Sequence, residues 1–450
     1  MEFEKQEIIT GSSYLRSKNK KKFDRVDFMI KNMSHNSAYI NHLKNEKIKD
    51  ENLEILKKFE KKFYDYRFEW KNNSEKYYHN NLNFKEINTN LDDNPLCVDI
   101  ETAAICDLAC PHCFREYIIT PDKIMNDKLY KKIIDSLTKM DVPSIKLNWR
   151  GEPLLNPKLC EFIKYAKKNG ILEVSINTNA TKLDEKKSEE LIKSGLDLII
   201  FSFDGGTKQT YEKMRPGRFK HNDFETVYKN IKDFSHLRKK MGSLFPISKI
   251  QMVLTKDTRS EIKEFFDLFD EIVDDVTVTQ YSERGGNLND LLPENKKKIA
   301  DYLQKNNLPK DTPHLVEGDG KIHISKRRKP CEQLFQRLMV TYDGRIGMCC
   351  HDWGARHCIG YVDKMGFDID KSINEIENQI NKNKKGFELL KNAIKPKALN
   401  SPDKKINSLK EIWNSKELNS VRNLHKQNRN DEIEICKNCS FKDTYDWVEI

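Results

Sequence analysis

The residues of this chain most able to do chemistry are its cysteines. Cys106, Cys110 and Cys113 share one short stretch, Cys106-Asp-Leu-Ala-Cys110-Pro-His-Cys113. Three thiolates at this spacing on one loop can converge on a single metal centre. Structural zinc asks for four ligands, and His112 is the local candidate for the fourth. A four-iron cluster held by three cysteines instead leaves one iron open, where a substrate or cofactor can chelate. A second group is spread along the C-terminal part: Cys331, Cys349 and the pair Cys436-Lys-Asn-Cys439. Val340-Thr-Tyr-Asp343-Gly344-Arg345-Ile346 reads as a hairpin turning at Asp-Gly, which brings Cys331 near Cys349. The C-x2-C loop can then close a four-thiolate site, for which zinc and an iron–sulfur cluster are both candidates. Cys350 and Cys358 are surplus, and Cys350 could replace its neighbour Cys349. Cys97 and Cys160 fall in a strand and a helix pattern and read as core residues.

The elements that must position these groups alternate between the two secondary-structure periods. Strands are expected at Leu96–Glu101, Ser144–Trp149, Leu172–Asn177, Asp197–Asp204, Lys249–Thr255 and Asp275–Tyr281. Amphipathic stretches lie between them. Leu129, Ile133, Leu137 and Met140 mark one, and Leu159, Phe162, Ile163 and Ala166, stopped by Gly170, mark the next. Strand–helix alternation of this kind implies parallel strands with right-handed crossovers. The length fits an α/β partial (β/α)6 barrel better than a full barrel, with ligands at the carboxyl ends of the strands. Residues 1–95 read as a helical N-terminal extension, with Leu56, Phe59, Phe63, Tyr66 and Trp70 on one stripe. Residues 96–285 form the barrel, and 286–326 a linker with one helix. Residues 327–450 form a small cysteine-rich α+β domain. Within it, Ile373, Ile376 and Ile380, then Phe387, Leu390 and Ile394, suggest two short inserted helices.

Composition bounds the setting. Lys+Arg 80 against Asp+Glu 70 gives a net charge of +10 spread over 450 residues, without the concentrated basic face of a nucleic-acid binder. No apolar run approaches the roughly 18 residues of a membrane helix. The N-terminus, MEFEKQEIITGSSYLRSKNKKKF, lacks the apolar segment of a signal peptide. A cytoplasmic location is expected, where eleven cysteines serve as thiols or metal ligands rather than disulfides.

In this context the C-x3-C-x2-C loop after the first strand resembles that of the radical S-adenosylmethionine (SAM) enzymes. Asn148-Trp149-Arg150-Gly151-Glu152-Pro153 at the second strand end is similar to the family's Gly-Gly-Glu motif, with Arg150 in place of the first glycine. Ser175-Ile-Asn177-Thr178-Asn179, Phe201-Ser202-Phe203-Asp204-Gly205-Gly206 and Tyr211 to Gly217 follow at the third and fourth strand ends. The resemblance covers residues 95 to 285. It implies a [4Fe–4S] cluster on Cys106, Cys110 and Cys113, with SAM chelating the open iron. Gly151 and Glu152 would then face its amino group, Ser202 and Arg215 its carboxylate or ribose, Asn177 and Asn179 the ribose hydroxyls, and the backbone at His112 the adenine. Each of these residues also has a plain structural reading as a cap or turn. Gly-Glu-Pro at a strand end is a poor helix start, which sets Glu152 apart, whereas a surface salt bridge accounts for Arg215 equally well. Cleaved by an electron from the cluster, SAM would yield a 5′-deoxyadenosyl radical that takes a hydrogen from the substrate. No catalytic side chain beyond these is assigned.

The C-terminal cysteines, with Ser408-Leu-Lys-Glu-Ile-Trp413-Asn414-Ser415 and Ile359-Gly360-Tyr-Val362, resemble the SPASM/twitch domains that follow many radical SAM cores. Their spacing is similar to that of the twitch domain in aminoglycoside-pathway radical dehydrogenases. That resemblance implies one auxiliary [4Fe–4S] cluster fully ligated by Cys331, Cys349, Cys436 and Cys439, able to accept an electron from a substrate radical. The function expected is hydrogen abstraction from a small polar metabolite (a sugar, an aminocyclitol or a nucleotide-linked sugar), with net dehydrogenation. A reducing protein such as flavodoxin or ferredoxin would supply electrons. Modification of a peptide is the competing reading, and a non-catalytic protein with two structural metal centres is a third. Intact Gly151-Glu152 and Asn177-Thr178-Asn179 motifs argue against the third, because a purely structural site has no use for them.

Overall fold

The computed structural model describes residues 94–117, 120, 122–280, 293–307, 314–316, 322–328, 331, 333–368, 405–427, 429–437, 439 and 445–449. The Leu56–Trp70 stripe and the two inserted helices between 373 and 394 lie outside the described residues. Six strands run parallel and side by side in chain order: β1 Cys97–Ile100, β2 Ser144–Lys146, β3 Glu173–Thr178, β4 Leu198–Ser202, β5 Ile247–Leu254 and β6 Asp275–Gln280. The helices between them are α1 Asp127–Lys139, α2 Leu159–Lys168, α3 Glu185–Ile192, α4 Lys208–Met214, α5 Phe224–Lys240 and α6 Ile262–Phe269. The partial (β/α)6 barrel is therefore the fold of this region. Four helices start at side-chain caps: Asn126, Asp184, Thr207 and Asp223 each accept a backbone N–H from the first turn. Gly170, at φ +88°, ends the α2 segment where the apolar period stops.

Alternation along the strands separates two faces. Val98, Ile100, Ile145, Val174, Ile176, Ile199, Phe201, Ile250, Met252, Val276 and Val278 join the helices in the hydrophobic core. The other face is largely polar, Leu198 and Ile200 of β4 being apolar members in register with Ser175 and Asn177. Register brings Asp99 beside Lys146 and Ser175, and Ser202 beside Gln251 and Thr277. Cys160 lies in the core. Cys97, though buried, is on the polar face, where its thiol donates to Asp99 at 3.6 Å.

After β6 come α7 Pro293–Lys305, β7 His314–Val316 and β8 Ile322–Arg328. The segment expected to be a linker with one helix thus also holds β7 and much of β8, which pair in a small antiparallel sheet with a strand from the chain's end, β12 Tyr445–Glu449. Between them come α8 Gln333–Gln336, β9 Arg337–Val340, β10 Arg345–Gly347, β11 Cys358–Tyr361, α9 Leu409–Trp413, α10 Lys416–Lys426 and α11 Glu434–Lys437. The expected hairpin is β9–β10, turning at Asp343-Gly344 with Gly344 at φ +89°. Less expected is where it docks. β9 runs parallel to β1, Cys97 opposite Arg337 through Ile100 opposite Val340. The barrel sheet therefore continues into the cysteine-rich region in the order β11-β10-β9-β1-β2-β3-β4-β5-β6. An open barrel has an exposed hydrogen-bonding edge at β1, and β9 covers it. No helix among the described residues is long and apolar enough to cross a membrane.

A buried ion pair locks this joint. Arg150, in the position of the expected glycine, donates from Nε and Nη2 to both carboxylate oxygens of Glu101, at 2.5 and 2.8 Å. Both side chains are 0% exposed. Glu101 also accepts the backbone N–H of Tyr342, just past β9. Removing one partner of such a pair strands a charge, so Arg150→Met should destabilise the fold by about 3–5 kcal/mol. The double variant Arg150→Met with Glu101→Leu should recover a good part of that loss. Denaturant unfolding of the three variants checks this, and a double variant as unstable as the sum of the singles would contradict it.

Candidate active site and auxiliary cysteine site

The three-cysteine loop leaves the carboxyl end of β1 and is held on two sides. On one side, the Ala109 N–H donates to Pro216 O, the Arg218 N–H to Asp107 O, and Leu108 bridges Gly217. The segment after α4 therefore clamps the loop. On the other side lies the turn after β2. Gly151 has φ +72°, and a Cβ there would stand 2.4 Å from Ala103 O and 2.6 Å from Ile105 O. Only glycine allows that approach. The next residue seals it, the Glu152 N–H donating to Ile105 O at 2.8 Å. Cys110 is buried, while Cys106 and Cys113 are half-buried. Burial, with Glu152 nearby as the next cause, pushes the Cys106 thiol up to about 12, and burial pushes Cys110 to about 12. As free thiols they are inert. Positive charge from a metal centre is what would make them thiolates.

Glu152 is wholly enclosed. Its carboxylate accepts from Leu154 N at 3.0 Å, Thr178 Oγ1 at 2.7 Å and Asn179 N at 2.7 Å. It does cap a helix, the short 3-10 turn Pro153–Leu155, which the sequence reading had discounted. Capping explains one of its three bonds; the other two tie it to the end of β3. Burial outweighs these donors and pushes its acid up to about 7.

For Arg215 the surface salt-bridge alternative fails. It is buried, and its guanidinium meets the fully buried Asp204 at 2.6 Å. His112 Nε2 reaches the same carboxylate oxygen at 3.2 Å, and the Val253 N–H donates to the other oxygen at 2.7 Å. Burial opposes the charge on Asp204, but Arg215 and His112 outweigh it and hold the acid well below the usual range. Packing fixes this group: Phe203, beside Asp204, stacks on Tyr211 at 4.0 Å and meets Phe224 and Phe269 edge-on. Tyr211 lies one turn before Arg215. Buried polar atoms without a hydrogen-bond partner among the described residues include His112 Nδ1, Arg215 Nε and Asn177 Oδ1. Buried polar atoms are nearly always satisfied, so those of His112 and Arg215 at the cysteine loop suit a polar ligand.

The remaining residues divide. Ser202 ends β4, half-buried on the polar face. Asn177 is placed by its N–H on Asn148 Oδ1 at 2.7 Å. Asn179, expected at the ribose, is instead occupied within the loops. Its amide donates to Asp107 at 2.9 Å, its carbonyl accepts from Thr181, and Cys106 Sγ lies 4.0 Å from its amide nitrogen.

In the C-terminal region, Cys349 is buried, and its thiol is pushed well above the usual range by burial first, then by Cys350, Cys436, Asp352 and Cys439 around it. The Cys439 N–H donates to Cys436 O. Cys331 joins through a residue the sequence reading missed: its N–H donates to His425 Nδ1, and His425 Nε2 lies 3.3 Å from Cys436 Sγ. Cys350 turns elsewhere, its thiol donating to Gln333 Oε1 at 3.5 Å. Cys358 is a β11 residue whose thiol donates to Gly360 O. This loop touches the barrel site directly. Trp149 Nε1 donates to Cys350 O at 3.0 Å, and the Arg356 guanidinium lies over the ring of Phe114, next to Cys113, at 4.8 Å.

Tetrahedral zinc at Zn–S about 2.3 Å needs sulfur atoms roughly 3.8 Å apart. Among the described residues, the one set of three ligand atoms within 4.8 Å of one another is Glu212, His221 and Asp223. Lys208 already pairs with both of those carboxylates. The three sulfurs of the β1 loop do not all lie within 4.8 Å of one another.

The family model described as the radical SAM superfamily matches residues 100–269. A probable GTP 3′,8-cyclase of Methanocaldococcus jannaschii is 26% identical over 256 residues, which is 54% of this chain and 81% of that protein. Mycofactocin maturase MftC of Mycolicibacterium smegmatis is 24% identical over 238 residues, 52% of this chain and 56% of that protein. The structure of BtrN in complex with AdoMet and 2-DOIA aligns over 79% of this chain and 100% of that one, at 16% identity and a TM-score of 0.40. With the three-cysteine loop, the Gly151-Glu152 turn and the parallel partial barrel in their places, residues 100–269 belong to the radical SAM superfamily.

Proposed function

We propose that this chain is a radical SAM oxidoreductase that takes a hydrogen from a small, hydroxyl-rich metabolite and passes the leftover electron to an auxiliary [4Fe–4S] cluster on Cys331, Cys349, Cys436 and Cys439. The observation that carries it is the contact between the two cysteine sites, Trp149 on Cys350 O and Arg356 over Phe114. An electron acceptor is useful only near the substrate, and this contact supports that proximity. A [4Fe–4S] centre with SAM on its open iron supplies the one-electron chemistry that generates a hydrogen-abstracting radical.

The chain's own residues would do the rest. Cys106, Cys110 and Cys113 hold the centre. Glu152 offers a carboxylate to the SAM amino group, and Arg215, backed by Asp204, a cation to its carboxylate. Asn177 and Ser202 face the ribose, and His112, steered by Asp204, borders the adenine. The polar face of Asn148, Asn177, Ser202 and Thr277 supports a substrate recognised by hydrogen bonds. Relatives named as GTP 3′,8-cyclases agree with a nucleotide-linked one.

Metal analysis tests the auxiliary site. Wild type should hold about eight irons and eight sulfides per chain, and a Cys106→Ala, Cys110→Ala, Cys113→Ala variant about four of each. One zinc in that variant, without iron, would remove the electron acceptor and with it the dehydrogenase reading.

Glu152 gives a pH test. An acid raised to about 7 is neutral below that pH and charged above it, and only the charged form makes the stronger hydrogen bond. Relative to Glu152→Gln, wild type should bind SAM about tenfold to a hundredfold more tightly at pH 8, an advantage that shrinks by pH 6. Calorimetric titration at both pH values checks this; a ratio independent of pH would contradict it.

Substrate class is tested by deuterium transfer. Labelled sugars, aminocyclitols and nucleotide sugars should include one that passes deuterium to 5′-deoxyadenosine. Transfer only from peptides would replace this reading by peptide modification.

A further inference from the structure

His425 occupies the last turn of α10, buried, between two of the proposed auxiliary ligands. Its helix is firmly seated. Leu418, Val421 and Leu424 face the hydrophobic core. Arg422 donates to Leu334 O at 3.0 Å and Trp413 O at 2.8 Å, and its guanidinium lies 4.2 Å from the Trp413 ring centroid. Leu334 stands three residues past Cys331, so the same contact that fixes the helix fixes His425 against the Cys331 segment.

The two ring nitrogens then have different work. The Cys331 N–H donates to Nδ1 at 3.3 Å, so Nδ1 is an acceptor and carries no proton. A neutral imidazole must then hold its proton on Nε2. Nε2 lies 3.3 Å from Cys436 Sγ, which makes the contact an N–H···S hydrogen bond with the sulfur accepting. Such a bond draws electron density from a metal-bound thiolate and stabilises the reduced, more negative cluster, raising its reduction potential.

We propose that His425 is a positioning residue that raises the reduction potential of the auxiliary centre through its Nε2–H bond to Cys436. The proposal rests on the reading that the C-terminal cysteines hold an iron–sulfur cluster. It gives that cluster a direction: an electron acceptor for a substrate radical gains from a higher potential, whereas a structural zinc, which has no redox step, gains nothing.

The experiment is a redox titration of the anaerobically reconstituted holoenzyme followed by electron paramagnetic resonance. The signal that changes on adding SAM belongs to the open cluster, and the other to the auxiliary centre. His425→Phe keeps a flat ring without a donor. At a fixed poise it should lower the ratio of reduced to oxidised auxiliary centre about tenfold, a shift of about 59 mV for one electron, and leave the SAM-sensitive signal in place. His425→Gln, whose amide can donate to the sulfur, should restore most of the potential. Should the Phe variant fail to assemble its centre, proton ENDOR on the reduced wild type decides: a coupled proton that exchanges in D2O supports the bond, and its absence overturns it. An auxiliary signal with the same midpoint in wild type and Phe variant overturns the role of His425 alone. One zinc per chain and no second signal overturns the cluster reading itself, and this proposal with it.

Discussion

The site depends on one close approach between two backbones. At Gly151 the turn after β2 lies so near the strand-to-loop segment Ala103–Ile105 that no Cβ fits between them. That contact sets the height of the three-cysteine loop above the barrel and delivers Glu152 beneath it. From Glu152 the constraint spreads to β3 through Thr178 and Asn179, and Asn179 returns it to the loop at Asp107 and Cys106. The result is a closed circuit of hydrogen bonds among three strand ends, with the cysteines on its rim. Such a circuit lets a loop hold three sulfurs in a fixed arrangement without regular secondary structure of its own.

The second constraint is the edge of an open barrel. β9 satisfies β1 by pairing with it, and so builds the C-terminal cysteine region onto the same sheet as the SAM-type site. Arg150 and Glu101 fasten the joint, with Tyr342 as the third member. Rigidity across this joint is what a distance-sensitive electron transfer would need, and the loop from Cys349 to Cys358 lies over the barrel's carboxyl end as a consequence.

Much of this was legible in the sequence. Period-two and period-3.6 patterns gave six strands and their helices, because one face of most strands packs under the helices while the other lines a largely polar interior. Spacing alone brought the cysteines into groups, and Gly344 marked the hairpin. Long-range pairing was not legible. Nothing in the local pattern of Arg337–Val340 says that its partner is β1, some 240 residues earlier in the chain, and Arg150 read as a mere departure from a glycine because its partner Glu101 lies on another strand. For Arg215 a surface ion pair stood level with a ligand contact, because neither α4's packing nor the burial of Asp204 is written in its neighbours. His425 gave no signal: a lone histidine in an amphipathic helix is ordinary until the fold sets it between Cys331 and Cys436. One available signal was passed over. Polar residues at every second position, as in Ser248-Lys249-Ile250-Gln251-Met252 and Asp275-Val276-Thr277-Val278-Thr279, mark a barrel face built to meet a ligand.

The central claim is that Cys106, Cys110 and Cys113 hold the centre at which SAM is consumed. Its most direct measurement is 5′-deoxyadenosine formed from SAM by anaerobically reconstituted protein with a strong reductant. The account predicts formation by wild type, and none above background when the three cysteines are replaced by alanine. Equal formation by both proteins would contradict it.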